Sequence, residues 1–398
     1  MSHITLKNKQ KCCGCSACAD ACPTQCIQMT PDGEGFTYPK IDEKRCLNCG
    51  KCLTVCPISN AECVKNTPYD NVAYAFVSNN ADTHFHSTSG GAFFAVVDGF
   101  VANNPDKFFV VGAAFEGTRL CHIITNDLAE AERLKKSKCL QSDARGIYRA
   151  VKERLDEGAA VLFSGTPCMV AALKSFLGKN YEKLLTVDIV CHGVPNQEIF
   201  DAYLNDLEKK HGARVTSVTF RVKKNYDVEK PNPRTAIFEF DNGSSLHLDV
   251  ASCEYLYGFH TSLFLRPSCE ACPFALSQRP GDITLGDFWG IEKKHPELSS
   301  ARGVSLVHFN TEWGKALLPA LERNGALTEL TWDYACQEND QLTKPSVPHR
   351  NRGKFFRLRR KGVSFIDAVN ACKKPDNLVE RVLHKLQDIQ RKLRKKRK

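Results

Sequence analysis

The sequence predicts two parts in series: an α+β module over residues 1–63, then a larger α/β domain built on a mixed sheet. Three observations predict this. Two cysteine runs of identical spacing fill the first part. Apolar runs alternate with helical patterns from residue 71 to residue 212. Between residues 215 and 250 that alternation gives way to three short stretches with strand patterning.

The cysteine runs read Cys12-x-x-Cys15-x-x-Cys18-x-x-x-Cys22-Pro23 and Cys46-x-x-Cys49-x-x-Cys52-x-x-x-Cys56-Pro57, the second repeating the first at an offset of 34 residues. This is the spacing of a bacterial-type two-cluster ferredoxin, in which the fourth cysteine of each run crosses to the other cluster. Cys12, Cys15, Cys18 and Cys56 are therefore expected on one 4Fe-4S cluster, and Cys46, Cys49, Cys52 and Cys22 on the other. Three thiolates at this spacing wrap a tight loop around a cube, and the proline ends the loop. A pair of zinc knuckles is the alternative, but zinc takes four ligands per site, usually as two pairs, not two matching runs of four. FTYPK (36–40) is the expected strand between the two halves. Cys13 and Cys26 lie just off the pattern and read as spectators.

After a linker at 64–70, apolar runs at 71–77, 108–115, 160–163 and 184–190 read as buried strands. Helical patterns at 92–104, 144–158, 167–177 and 197–212 follow them. The alternation argues for a largely parallel sheet with covering helices. VTSVTFRVK, TAIFEF and SLHLDV then predict antiparallel strands, so the sheet is either mixed or carries a β insertion.

Length and composition bound the rest. A chain of 398 residues, 42% hydrophobic and 25% charged, suits two or three ordinary soluble domains. Twenty cysteines behind a start, MSHITLKNKQ, without an apolar signal segment suggest reduced thiols and a cytoplasmic protein. No apolar run approaches the roughly 18 residues of a membrane span. The net charge of +10 hides an asymmetry, because residues 344–398 hold 19 Lys or Arg against 4 Asp or Glu. Residues 361–398 are expected as a basic tail. Within them, Val379, Val382, Leu383, Leu386, Ile389 and Leu393 recur at roughly helical spacing. Such a tail suits an anionic membrane surface or an acidic partner, against the commoner solvated terminus. It lacks interleaved aromatics, which argues against nucleic acid.

Several turns at strand ends carry small or reactive residues: Ser89-Gly90-Gly91, Ser164 to Cys168, and Cys191-His192-Gly193. In open α/β folds, ligands sit at these carboxyl ends. There is no GxGxxG and no Walker A run. Cys269-x-x-Cys272-Pro273 alone fits a zinc half-site or a redox dithiol; a third four-ligand set with Cys168 and Cys191 is a further reading that the spacing leaves open against these.

The ordered motifs SGGAF (89–93), SKC-x-QS (137–142), SGTPC (164–168), DIVCHGVP (188–195), SCEACPF (268–274) and DITLGDFWG (282–290) resemble the beta-subunit family of coenzyme F(420) hydrogenases and dehydrogenases. The likeness runs over roughly residues 70–360, which places that domain at 71–360 behind the ferredoxin. It implies an iron–sulfur flavoprotein, with a third 4Fe-4S cluster on Cys168, Cys191, Cys269 and Cys272. It also implies a non-covalent FAD against Ser89, Gly90, Gly91, Lys138, Thr166, Pro167, His192 and Gly193. Cys139 departs from the pattern, standing where the family's lysine motif carries an aromatic residue.

His192 is the candidate proton donor, since imidazole titrates near neutral pH, although a histidine bracing a loop is an equal reading. Asp287 is expected to orient its loop by bonding backbone amides. His84 and His86 lack further ligands for a metal. Cys63, Cys121, Cys253, Cys336 and Cys372 read as small buried hydrophobes.

Two functions follow. One is a reductase fed by a ferredoxin-like donor and acting on an organic substrate, surface polysaccharide precursors among them, or on the deazaflavin coenzyme. The other is a relay subunit without its own substrate. A homo-oligomer and peripheral membrane contact are compatible with either.

Overall fold

The computed structural model describes residues 3–6, 8–66, 70–223, 235–300 and 302–373. The amphipathic pattern at 376–398 and part of the 64–70 linker lie outside them. In the N-terminal module, β1 (Ile27–Pro31) and β2 (Thr37–Ile41) form an antiparallel hairpin between the two cysteine loops. The expected FTYPK strand is thus β2, displaced by one residue.

The body carries β3 (Val72–Ser78), β4 (Phe108–Glu116), β5 (Arg119–Thr125), β6 (Ala160–Gly165) and β7 (Leu184–Ile189). These are followed by β8 (Val215–Val222), β9 (Thr235–Phe240) and β10 (Ser245–Leu248), then β11 (Ile283–Asp287), β12 (Ser305–Phe309) and β13 (Gly325–Thr331). Eight of them make one mixed sheet in the order β13-β3-β12-β11-β7-β6-β4-β5. Its centre is parallel, with β4 on β6, β6 on β7 and β7 on β11. Antiparallel pairs flank this centre on both sides. Both expected alternatives hold at once, because β8, β9 and β10 form a separate antiparallel sheet.

The central strands read as unbroken apolar runs because both of their faces are covered. Val110, Leu162, Leu185 and Ile283 share one core with helix Ala92–Asn103. That helix is apolar nearly all round because helix Leu318–Asn324 covers its outer side. A methyl added at Gly99 would stand 2.5 Å from the Cβ of Ala320. On the opposite face, Val111, Val161 and Phe163 pack under helices Ile147–Asp156 and Pro167–Leu177. The first of these presents Ile147, Tyr148, Val151 and Leu155 as a single buried stripe. The second starts on Pro167 at its first position, where a missing N–H costs nothing.

Cys13, Cys15, Ala17 and Val55 belong to that same core, so the module is packed into the body. Glu34 accepts from Arg352 at 2.7 Å, and Asp20 accepts from the Gly146 amide at 2.9 Å.

The small sheet packs Phe220 and Phe238 against Phe200, Tyr203 and Tyr255. Helix Phe365–Lys373 closes this core with Phe365, Ala368, Val369 and Cys372. The tail boundary expected at 361 is therefore corrected. Apolar residues spaced along one side of that helix bury it, and the packed body reaches residue 373. No described helix is long and apolar enough to cross a membrane.

Candidate metal centres and the adjoining cofactor site

The two cysteine loops enclose two cavities. One is lined by Cys12, Cys15, Cys18 and Cys56 together with Cys13. The other is lined by Cys22, Cys46, Cys49 and Cys52 together with Cys26. Each draws three cysteines from one run and the fourth from the other, the crossed grouping expected from the spacing. The loops can close this tightly because Gly14, Ser16, Asn48 and Gly50 adopt left-handed backbone. Such turns aim N–H groups inward. The amides of Gly14, Ala17 and Ala19 address Cys12, Cys15 and Cys18, and the Ile4 amide lies 3.3 Å from Cys52 Sγ.

Burial pushes the Cys18 thiol up to about 12, with Cys12 and Cys56 adding to the rise. Thiols crowded this way ionise only beside a cation, as iron ligation supplies. Among the described residues, no three His, Cys, Asp or Glu converge as a single-ion site. Ligands of a cube instead surround a void.

The third set comes together at the carboxyl ends of β6 and β7. Cys168 follows β6, Cys191 follows β7, and Cys269 and Cys272 arrive on a loop ahead of β11. Burial lifts the Cys191 thiol to about 12 and Cys272 to about 11, and in both cases Cys168 is close enough to add to the rise. Gly193 is required here. Its φ is +130°, and a methyl would meet Cys269 Cβ at 3.2 Å and Leu265 Cδ1 at 2.7 Å. A buried ion pair that sequence reasoning missed holds the loop in place. Arg279 donates to Asp188 at 2.8 Å and to the Phe274 and Ile189 carbonyls at 2.9 Å each. Asp188 in turn accepts from the Gly281 amide at 2.8 Å.

Cys13 is no spectator by position. Its buried thiol lies beside those of Cys15 and Cys168, placing it between the first set and the third. Cys18 likewise feels Cys52 of the outer set. Cys26 lies 3.3 Å, sulfur to sulfur, from Cys22.

The expected flavin contacts fall into two groups. Ser89 donates to the Val304 carbonyl at 2.7 Å, and Gly91 caps helix Ala92–Asn103 with φ +94°. At Gly90 a methyl would overlap the Phe76 carbonyl at 1.9 Å. Lys138 sits near this group, since its neighbour Ser137 donates to Thr88 Oγ1 at 2.8 Å. Burial lowers the Lys138 ammonium to about 7, and it donates to the Arg133 and Lys135 carbonyls.

Thr166, Pro167, His192 and Gly193 lie instead around the third cysteine set, with Thr166 Oγ1 3.2 Å from Cys168 Sγ. The 137–142 segment spans the two groups, because the Gln141 amide donates to the Pro195 carbonyl at 2.9 Å. His192 Nε2 faces the Phe259 carbonyl at 3.0 Å, and burial lowers its pKa.

Two cations, one of them on Ser89, carried no sequence signal. Lys223 donates to the Ser89 carbonyl at 2.8 Å and the His84 carbonyl at 2.5 Å, and burial lowers it to about 7. Arg221, at φ +56°, donates from Nη1 to Asp287 at 2.5 Å. Its Nε and Nη2 are buried without a hydrogen-bond partner among the described residues. Asp287 thus engages a guanidinium and not backbone amides, correcting that expectation. Cys63 is exposed, and Cys121 and Cys336 are only partly covered, so the buried reading holds for Cys253 and Cys372 alone. Cys63 follows the second cysteine loop on a four-residue helix too short to bury its outer side.

Residues 158–333 match the family described as the C terminus of the coenzyme F(420) hydrogenase/dehydrogenase beta subunit. Residues 11–60 match the 4Fe-4S dicluster domain. No curated protein matches the chain. A solved structure, the xenon-derivatised F(420)-reducing NiFe hydrogenase complex from Methanosarcina barkeri, aligns at 13% identity and TM-score 0.44 over 76% of this chain and 91% of that one. By its two family matches, the chain joins a 4Fe-4S dicluster domain to a domain of the coenzyme F(420) hydrogenase/dehydrogenase beta-subunit family.

Proposed function

We propose that the chain is an iron–sulfur flavoprotein oxidoreductase that accepts electrons from a ferredoxin-like donor and delivers them to an organic substrate or a deazaflavin coenzyme. The observation that carries the reading is Cys13, whose thiol lies beside those of Cys15 and Cys168. Through it and through Cys18 beside Cys52, each cysteine set adjoins the next, with Cys49 of the outer set exposed. When bound, 4Fe-4S groups supply one-electron transfer, and FAD supplies collection of two electrons for hydride delivery.

The residues fit these groups. Arg221 offers two nitrogens without a hydrogen-bond partner among the described residues and Lys223 an ammonium beside Ser89 and Gly90, a combination suited to the diphosphate of FAD. Gly90 lets this turn sit directly against the Phe76 carbonyl of β3, and Gly91 opens helix Ala92–Asn103 beside it. Lys138 adds a third cation, and Thr166, Pro167 and Gly193 lie on the side of the third cysteine set. His192 is assigned proton donation, with its ring braced on Phe259.

Metal and flavin analysis of anaerobically purified protein tests this: about twelve irons and one FAD are expected from three cubes. Zinc in place of iron, or no flavin, overturns it. The family's description as a beta subunit favours a second reading, a relay without its own substrate. Co-purification with a catalytic subunit, and no reduction of the deazaflavin by the chain alone, would decide for it. The basic segment 376–398 is assigned to contact with an anionic membrane surface or an acidic partner.

A further inference from the structure

Two arginines are wholly buried, Arg266 and Arg279. Arg279 is paired with Asp188. Arg266, at 0% exposure, has no carboxylate partner among the described residues. Its Nε donates to the Cys12 carbonyl at 2.9 Å, Nη2 to the Thr37 carbonyl at 2.7 Å, and Nη1 to Gln141 Oε1 at 3.1 Å. All three acceptors are neutral. The remaining contact runs from Nη2 to Cys12 Sγ, at 3.8 Å.

The guanidinium lies over the Tyr38 ring, 4.6 Å from its centroid. Gly14 leaves room for it, since a methyl there would stand 2.5 Å from Nη1. A buried charge persists when an opposite charge accompanies it. Here the one sulfur of the inner cysteine set in contact is that of Cys12, which becomes anionic as a cluster ligand, and Cys168 of the third set also lies in the field of Arg266. The lysine lining the outer cavity, Lys51, is exposed to solvent.

We propose that Arg266 is the counter-cation of the group held by Cys12, Cys15, Cys18 and Cys56, and that its charge makes this group easier to reduce than the one held by Cys22, Cys46, Cys49 and Cys52. The proposal rests on reading both sets as 4Fe-4S sites. One-electron reduction adds a negative charge, and a desolvated cation at contact distance stabilises that charge. Net charge and hydrogen bonds to sulfur set cluster potentials. Arg266 supplies both, where burial alone would disfavour reduction. The module then runs downhill from its exposed end toward the body.

The test is redox titration, followed by electron paramagnetic resonance, of the full chain as wild type, Arg266→Gln and Arg266→Lys, after iron and sulfide analysis. Wild type without 4Fe-4S iron would overturn the underlying site reading, a result distinct from failure of the Arg266 role. With clusters present, Arg266→Gln is expected to disfavour reduction of one cluster by about tenfold or more, about 59 mV for one electron, while Arg266→Lys stays within about threefold. The signal that moves should be the one altered by Cys56→Ser and not by Cys46→Ser. Unchanged potentials in Arg266→Gln overturn the proposal. So does an equal drop in both variants, which leaves only the hydrogen bond, and so does loss of a cluster from both, which makes Arg266 a structural anchor. If only the glutamine variant loses iron, the lysine variant decides by the same threefold and tenfold limits.

Discussion

At the scale of single residues, the lysines around Ser89 would tie binding of the proposed flavin to protons. Lys138 and Lys223 are each lowered by burial to about 7, so without a bound anion both are largely neutral at pH 8. A nearby diphosphate restores the charged form. Flavin binding at pH 8 is therefore expected to take up as many as about two protons, read by calorimetry in buffers of different ionisation enthalpy. Zero uptake would remove these lysines from the site. The sign for folding is the reverse of a paired lysine. The folded apo chain binds fewer protons than the unfolded chain between about pH 7 and the ordinary lysine range, so its stability rises with pH across that window.

Gly193 makes a second residue-scale case. Gly193→Ala forces a methyl onto Cys269 at φ +130° and should cost the proposed third cluster, about four of the about twelve irons expected, with the module's share retained. Retention of all the iron would separate Gly193 from ligand placement. The cysteine spacing was legible because ligation fixes it within a few residues. Arg266 was not, since its contacts on Cys12 cross 254 positions and leave no periodic trace. Arg221, Lys223 and Cys13 escaped for the same reason.

At the scale of elements, the loop bearing Cys269 and Cys272 hangs from β7 by the Arg279–Asp188 pair, both sides of which are buried. Removing one partner of such a pair strands the other charge. Arg279→Ala is expected to lower unfolding free energy by about 3–5 kcal/mol, measured by denaturant titration of the anaerobic protein. A change below about 1 kcal/mol would mean that water reaches Asp188 and that the pair does not organise the loop. Elements were read well where burial imposes a pattern. The strands at 108–115 and 160–163 are apolar throughout because helices cover both of their faces. The antiparallel flank formed by β3, β12 and β13 was less visible, because pairing partners far apart in sequence are chosen by the assembled sheet.

For the molecule as a whole, the described body extends to residue 373, with Phe365 and Val369 in its core. Deleting 376–398 should therefore leave iron and flavin content unchanged while abolishing sedimentation with anionic vesicles. Lost cofactor content would mean that the segment belongs to the fold. Vesicle binding that survives the deletion would move membrane contact elsewhere.

The docking of the module has a kinetic consequence. Glu34 on Arg352, Asp20 on Gly146 and Arg266 on Cys12 fasten what is, in a free carrier, a diffusing molecule. An encounter between two proteins becomes a unimolecular event whose rate is independent of protein concentration. Under the proposed function, the outer end is where a donor would still arrive by collision. There Leu47 is 67% exposed beside Cys46 and Cys49. Ionic strength and donor concentration should then govern the first transfer and leave the later ones untouched.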